Sequence, residues 1–382
     1  MPNTTPLHRV PPDTMTTSPS PLSVQPVPAS FTVPVAAPAA PGPRPPKPTR
    51  VLNSSLPAEV KAAARWRALL SGQQLRRTLS VTTLAPGMIA VRLHGPPALL
   101  ERMGLRSTAA GPQPADSPAS VARRVAWVSL DARRFSGHVV QGDSLLDPCL
   151  HPAGEDPSTA CVRINGGYFN FRQRACVGSP EHLPIGSLRT RGGAAQPALQ
   201  VPPAFVDDYR ELAFGDGSSL ASAPLLAERG EAVFALKASG NPCYRLPPDF
   251  SFERGDVVAP GMLWHAHDAN PRVAISVPAG PGNGRIRLVA APMVDRSCAD
   301  TGWTLSAFSA VLARLDRQHS PPNLSLNLDG GESVALMAWA EGRTLLDVRQ
   351  TLQPRHVGNL IEFRAGPPRR SPEMVRCVRL AT

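Results

Sequence analysis

Leu324-Ser-Leu-Asn-Leu-Asp-Gly-Gly-Glu-Ser333 reads as a strand that runs into a polar turn. Alternation puts Leu324, Leu326 and Leu328 on one face and Ser325, Asn327 and Asp329 on the other. Gly330 and Gly331 permit positive φ and close approach of a ligand to the backbone. Glu332 and Ser333 follow, so two carboxylates, an amide and a hydroxyl gather at one strand end. Taken alone, an Asp-Gly pair also serves as a plain hairpin turn. The device recurs in Arg163-Ile-Asn-Gly-Gly-Tyr-Phe-Asn170, where Asn165 precedes Gly166 and Gly167 and Tyr168 follows them. Two independent polar-Gly-Gly turns point to one shared site.

Outward from these turns the chain alternates short apolar runs with Gly/Pro punctuation, the pattern of a β-rich domain with short connections. Strands are expected at Val81–Gly87, Met88–Leu93, Val125–Asp131, Cys161–Ile164, Leu225–Leu226 and Val233–Leu236. Further strands are expected at Val273–Val277, Ile286–Ala290, Leu324–Leu328 and Leu360–Phe363. One helix is well signalled: Thr304 suits the N-cap, and Leu305, Phe308, Leu312 and Leu315 recur at helical spacing until Pro321-Pro322 forbids continuation. The expected fold class is α+β, a single β-rich mixed-sheet domain with few helices.

Of the 382 residues 45 are proline, about twice the usual share, and residues 1–50 hold 15 of them. That arm, rich in Ser, Thr and Pro, buries too little apolar surface to offset the entropy of ordering and is expected to be disordered. It shows no readable secretory signal: Phe31-Thr-Val-Pro-Val-Ala-Ala37 is short, broken by Pro34, and lacks a preceding basic region. Residues 51–78 read as a basic amphipathic helical segment, suited either to docking on its own domain or to an anionic membrane surface. No run approaches the 18 or more apolar residues of a transmembrane helix.

The net charge of +11 has a simple distribution. Residues 1–78 and the basic tail at 367–382 carry +10, leaving +1 for the domain at 79–366. A nucleic-acid partner normally requires the basic surface on the folded domain, and is not expected here. Six cysteines, at 149, 161, 176, 243, 298 and 377, include no CxxC and no zinc spacing. Cys149, Cys161 and Cys176 either form one short-loop disulfide in an oxidising compartment or remain ordinary thiols.

Three other segments carry chemistry. Met293-Val-Asp-Arg-Ser297 ends an apolar strand with Asp295, a base, metal ligand or turn cap, followed by Arg296. Asn270-Pro-Arg272 offers a planar guanidinium suited to phosphate or carboxylate. His265 and His267 form a His-x-His pair, either metal-binding or a solvated loop.

With these residues in place, the chain resembles the phosphodiester glycosidase family, that of the lysosomal enzyme that removes N-acetylglucosamine from mannose 6-phosphate tags. The matching elements occur in the family's order across roughly 80–365. They are Thr83-Leu-Ala-Pro-Gly87, Ile164-Asn-Gly-Gly-Tyr-Phe169, Pro184-Ile-Gly186, Ala223-Pro-Leu-Leu226 with Arg229-Gly230, and Asn270-Pro-Arg-Val-Ala-Ile275. Met293-Val-Asp-Arg296, Gly302-Trp-Thr-Leu305, Asn327-Leu-Asp-Gly-Gly331 with Ser333, and Asn359-Leu360 complete the series. Three residues depart from the pattern: Asn170 for an aspartate, Arg296 directly after Asp295 without a glycine between, and Glu332 for a third glycine.

The resemblance implies a bacterial hydrolase of a sugar-1-phosphodiester, of the GlcNAc-1-phosphate type, in a glycan or glycopolymer. Asp329 and Asp295, with Glu332 as an extra, are the catalytic candidates. Arg272 is the expected phosphate clamp, and Arg296 and the glycines 166, 167, 330 and 331 are further substrate contacts. Asn165, Tyr168, Asn327 and Ser333 hold sugar hydroxyls or orient carboxylates. No cofactor is required; clustered oxygens either hold Ca²⁺ or Mg²⁺ or form an ion-free carboxylate–arginine network. A glycan-binding or host-interaction protein without turnover is the alternative that the departures at Asn170 and Glu332 raise. A nucleotide phosphodiesterase is disfavoured by the neutral domain and the absence of a P-loop. Family and cysteines favour an exported protein.

Overall fold

The structure, a computed structural model, describes residues 78–96, 99–100, 123–152, 156, 158–234, 242–279, 284–294, 302–317, 323–371 and 375–380. The expected arm at 1–50 and nearly all of the helical segment at 51–78 lie outside the described residues. With elements numbered along the chain, an eight-stranded sheet runs β1 (Leu79–Ala85), β2 (Met88–Gly95), β3 (Arg123–Asp131), β12 (Arg285–Ala291), β11 (Arg272–Pro278), β13 (Asn323–Asn327), β9 (Leu225–Glu228) and β10 (Glu231–Ala232). A five-stranded sheet runs β15 (Arg343–Arg349), β14 (Ala335–Ala340), β5 (Cys161–Asn165), β16 (Val357–Ala365) and β4 (Phe135–Leu146). A four-stranded sheet runs β17 (Arg376–Arg379), β7 (Arg210–Ala213), β8 (Ser219–Ser222) and β6 (Leu188–Arg189). The pairings are antiparallel, and an isolated bridge between Ile185 and Leu199 is parallel. Among the described residues two α-helices accompany the strands: α1 (Pro203–Val206) and α2 (Leu305–Asp316). The α+β, β-rich class expected from the sequence is therefore the one observed.

Two cores follow from strand alternation. On β11, Val273, Ile275 and Val277 pack with Ile164, Leu336 and Ile361 of the five-stranded sheet, while Ala274 points to the opposite core. On β3, Val128 and Leu130 join the inter-sheet core, and Val125 and Trp127 join the side covered by α2. The helix begins where expected, with Thr304 Oγ1 accepting from Ala307 N at 3.1 Å, and buries Leu305, Phe308, Leu312 and Leu315.

A buried ion pair fixes that helix to the sheet. Arg287 of β12 donates to Asp316 Oδ1 at 2.8 Å and to the Leu315 carbonyl at 3.1 Å. Ser325 of β13 donates to Asp316 Oδ2 at 2.5 Å and meets Ser276 of β11 at 2.5 Å. The polar face read in Ser325 is thus turned toward the helix end and away from the site.

Some elements differ from the sequence reading. Of the strand expected at Val233–Leu236, Val233 and Phe234 follow the short β10 without joining it, Phe234 packing on Tyr244 in the core, and residues 235–236 lie outside the described residues. Among the strands not expected from the sequence, the short β6, β7 and β8 form most of the four-stranded sheet, β4 mixes Ser, His, Gln and Asp into its pattern, β14 follows directly on the polar turn, and polar, charged β15 has a half-exposed face. The basic tail contains β17, which pairs with β7 through Cys377–Leu212 and Val378–Glu211.

Replacing Asp316 by Ala removes the carboxylate that Arg287 pairs with in the core, a loss of about 3–5 kcal/mol. Urea denaturation measures it; a loss below about 1 kcal/mol would show that the pair does not anchor α2.

Candidate functional site

The ends of two central strands, one from each large sheet, meet at the two Gly-Gly turns. β13 ends at Asn327 and β5 at Asn165. Beyond them, Asp329 N–H donates to the Gly166 carbonyl at 2.9 Å, and the Asn165 amide donates to the Asp329 carbonyl. Asn165 Oδ1 accepts from Ala335 N at 3.1 Å, so one buried side chain joins β5, the Asp329 turn and the start of β14. Asn359 of β16 repeats the device, its Oδ1 accepting from Gly167 N at 2.7 Å and its carbonyl from Gly166 N at 3.1 Å. The backbones approach so closely that a Cβ on Gly167 would lie 2.5 Å from the Ala221 carbonyl. Gly331, at φ +64°, adopts the left-handed conformation that glycine tolerates, and the space beside it is open.

This join holds Asp329 in a desolvated place. One carboxylate oxygen, Oδ2, is buried without a hydrogen-bond partner. Burial raises the carboxyl to about 6, against the opposing pull of the Arg355 charge, the nearby Ser333 hydroxyl and the Gly330 N–H. Tyr168 is buried beside it, its hydroxyl accepting from Asn327 Nδ2 at 2.5 Å, and burial followed by the Asp329 charge pushes its ionisation well above the ordinary tyrosine range. Asn327 also donates to the Ala223 carbonyl at 2.9 Å. Asn165, Asn327 and Tyr168 therefore make a buried scaffold behind the carboxyl.

Asp329, Gly330, Gly331 and Tyr168 line a cleft of about 330 Å³. The rest of its wall joins Phe169, His265 and Asn270, which belong to segments singled out in the sequence, to residues with no site signal there, among them Phe171, Arg174, Met262 to Trp264 and Arg355. Arg355 stacks over Phe171, its guanidinium carbon 3.7 Å from the ring centroid, and its Nε is buried without a hydrogen bond. His265 lines the same cleft; burial, aided by Arg272 and Arg355, lowers it to about 3, so its imidazole is neutral at physiological pH. His267 instead lies against Phe234 and Tyr244, so the two histidines do not converge. Among the described residues no group of three or more His, Cys, Asp or Glu comes together to hold a metal ion.

Arg272 does not reach the cleft. It is 1% exposed, with Nε on the Trp303 carbonyl at 2.8 Å and Nη2 on the carbonyls of His265 at 2.9 Å and Asp268 at 2.7 Å. Burial lowers it to about 10, and its role is to hold the loop that presents His265. Glu332 is exposed and stands 3.7 Å from Arg355. Asp295 and Arg296, together with Cys298, lie outside the described residues. Cys149, Cys161, Cys176, Cys243 and Cys377 are free thiols.

No family model and no curated protein matches the chain. Solved structures do. A hypothetical protein from Synechocystis matches at 14% identity and TM-score 0.42, over 75% of this chain and 64% of its own length. The catalytic domain of zebrafish N-acetylglucosamine-1-phosphodiester alpha-N-acetylglucosaminidase, auto-inhibited by its pro-peptide, matches at 13% identity and TM-score 0.39, over 78% of this chain and 91% of that one. At such values the likeness says nothing of the chemistry of the cleft.

The departure at Asn170 has a local cause. Its Nδ2 donates to the carbonyls of Cys176 at 2.9 Å and Ser179 at 3.2 Å, and its Oδ1 accepts from the N–H groups of Ala175 at 3.2 Å and Cys176 at 3.0 Å. A carboxylate cannot donate, so Asn is the residue this loop needs.

Asp329→Asn provides a test of the desolvated carboxyl. A folded-state acid raised from 3.8 to about 6 stabilises the protein at pH below the unfolded value, and that contribution is lost as pH rises through about 6. The variant is therefore expected to be more stable than wild type at pH 7.5 by about 2–3 kcal/mol, since each tenfold change in proton affinity is worth ~1.4 kcal/mol. Thermal melts from pH 4 to 8 should show the wild-type curve falling relative to the variant's; parallel curves would refute the desolvated carboxyl.

Proposed function

We propose that the chain hydrolyses a sugar-1-phosphodiester, a GlcNAc-1-phosphate-type bond in a glycan or glycopolymer, by cleavage at the anomeric carbon. The observation that carries this reading is the Asp329 carboxyl, half-buried at the join of the two sheets with its Oδ2 withdrawn from water, lining the cleft and within the field of Arg355. The ordered motif resemblance supports the choice of substrate class.

In this reading the ionised Asp329 stabilises the oxocarbenium-like charge that develops at the anomeric carbon, either directly or as nucleophile. Water supplies the new oxygen bond to that carbon and gives up a proton to solvent, the bond from the anomeric carbon to the bridging phosphate oxygen breaks, and the phosphomonoester departs with the electron pair. That leaving group is weakly basic, so a cation facing it is worth more than a strong acid. Arg355, half-buried on an aromatic ring in the cleft wall, takes the part that the sequence had given to Arg272. Gly330 and Gly331 let the sugar approach the backbone. Asp295, which lies outside the described residues, is by its place in the motif series the second carboxylate of the proposal.

The test is incubation of the purified protein with a methyl diester of GlcNAc-1-phosphate in H₂¹⁸O. Label in the sugar, with phosphomonoester unlabelled, is the expected result; label in phosphate would make the protein a phosphodiesterase. Binding of the diester without turnover would leave a glycan-binding protein. Asp329→Asn is expected to lower kcat by about 10³-fold, within the usual range for a positioned acid or base. Arg355→Ala is expected to lower kcat/KM by about 10²-fold. As the ionised carboxyl is the working form, kcat/KM should fall as pH drops through about 6. Turnover should persist in EDTA.

A further inference from the structure

Beside Arg355, the cation that faces the first phosphate, Arg174 of the cleft wall and the exposed Arg172 next to it are charges that hydrolysis of one phosphodiester does not use. Phe171 carries three guanidinium groups: Arg355 at 3.7 Å from its centroid, Arg172 at 5.0 Å and Arg174 at 5.8 Å. Arg174 also lies 4.6 Å from the centroid of Phe252. Among the described residues, Glu332 at 3.7 Å is the carboxylate paired with Arg355, and none is paired with Arg172 or Arg174. Like charges grouped around one ring repel, and the ring face offsets only part of that repulsion.

The backbone is bent to produce this grouping. Arg172 and Gln173 both take left-handed conformations, at φ +49° and +54°, which non-glycine residues adopt at a cost. The turn is held on both sides, by Arg174 N–H on the Phe171 carbonyl at 3.1 Å and by the Asn170 amide on the following loop. Strain of this kind, spent on gathering cations beside a cleft, fits a site for an anion.

We propose that Arg172 and Arg174, next to Arg355, form a second anion subsite at the cleft mouth, which binds a further phosphate on the leaving-group side of the substrate. This deepens the glycosidase reading and rests on it for the position of the first phosphate. Guanidinium groups match phosphate oxygens in pairs, and two more of them beside Arg355 suit more negative charge than the single charge of an internal diester. The further phosphate has two sources: the second phosphate of a diphosphate-linked sugar, or the next phosphate along a repeating phosphodiester polymer.

Two measurements test it. The first compares three donors: the methyl diester of GlcNAc-1-phosphate, a methyl ester of GlcNAc-1-diphosphate, and GlcNAc-1-phosphoglycerol phosphate. Wild type should favour at least one of the latter two by tenfold or more in kcat/KM, the adjacent or the spaced phosphate identifying the source. Arg174→Ala should reduce that preference at least fivefold through KM, and Arg174→Lys should restore part of it. Equal use of all three donors, or an equal loss on all three in Arg174→Ala, would overturn the proposal.

The second measurement needs no turnover. Calorimetric titration with inorganic pyrophosphate should show one site in wild type and at least tenfold weaker binding in folded Arg172→Ala and Arg174→Ala. Binding that survives both changes, or none in wild type, would overturn the subsite. Failure of hydrolysis with pyrophosphate binding intact would count against the glycosidase reading alone.

Discussion

The fold depends on one buried exchange of hydrogen bonds between the two large sheets. Asn165, at the end of β5, donates to the Asp329 carbonyl and accepts from Ala335 N–H, while Asp329 N–H returns to the Gly166 carbonyl. Strand ends leave backbone groups without ladder partners, and burying them unpaired is costly. Here the two sets of orphan groups satisfy each other, with Asn359 completing the second glycine turn. Because the exchange requires backbone-to-backbone contact, the positions between are glycines.

The same join creates the chemistry. A carboxyl fixed at the meeting of two sheets loses water, and its pKa rises to about 6 because desolvation outweighs the Arg355 charge. The protein sacrifices stability at neutral pH to keep that group ionised, the trade expected of a site that must react rather than merely pack. The buried pair Arg287–Asp316 makes an instructive contrast. There each carboxylate oxygen accepts a hydrogen bond, from Arg287 at 2.8 Å and from Ser325 at 2.5 Å, and the pair serves to dock a helix.

Much of the candidate site was legible because its signals are local. Alternation in Leu324–Leu328, the paired glycines and the Asn before each turn are all visible within ten residues. Their grouping in space was inferred from repetition and is observed. What the local signal could not give was the duty of each polar group. Asn165 and Asn327 read as holders of sugar hydroxyls or orienters of carboxylates, and Asn170 as a departure from the family's pattern; in the structure the side-chain NH₂ group of each donates to a backbone carbonyl. Arg272 followed the same course, its hydrogen bonds taken by carbonyls. Arg355 and Phe171 carried no signal at all, since they lie 184 residues apart and acquire meaning only by stacking.

The sequence by itself determined a β-rich α+β chain, a near-neutral domain between basic flanks, and two polar glycine turns with Asp329 at one of them. These are properties of alternation, composition and backbone freedom, which act over a few residues. Only the tertiary structure decided which polar groups face the cleft and which are consumed in holding it, and that arginines 172, 174 and 355 share one ring. The reason is physical: exposure, desolvation and the neighbourhood of charges depend on distances between segments far apart in the chain, and no local pattern encodes them.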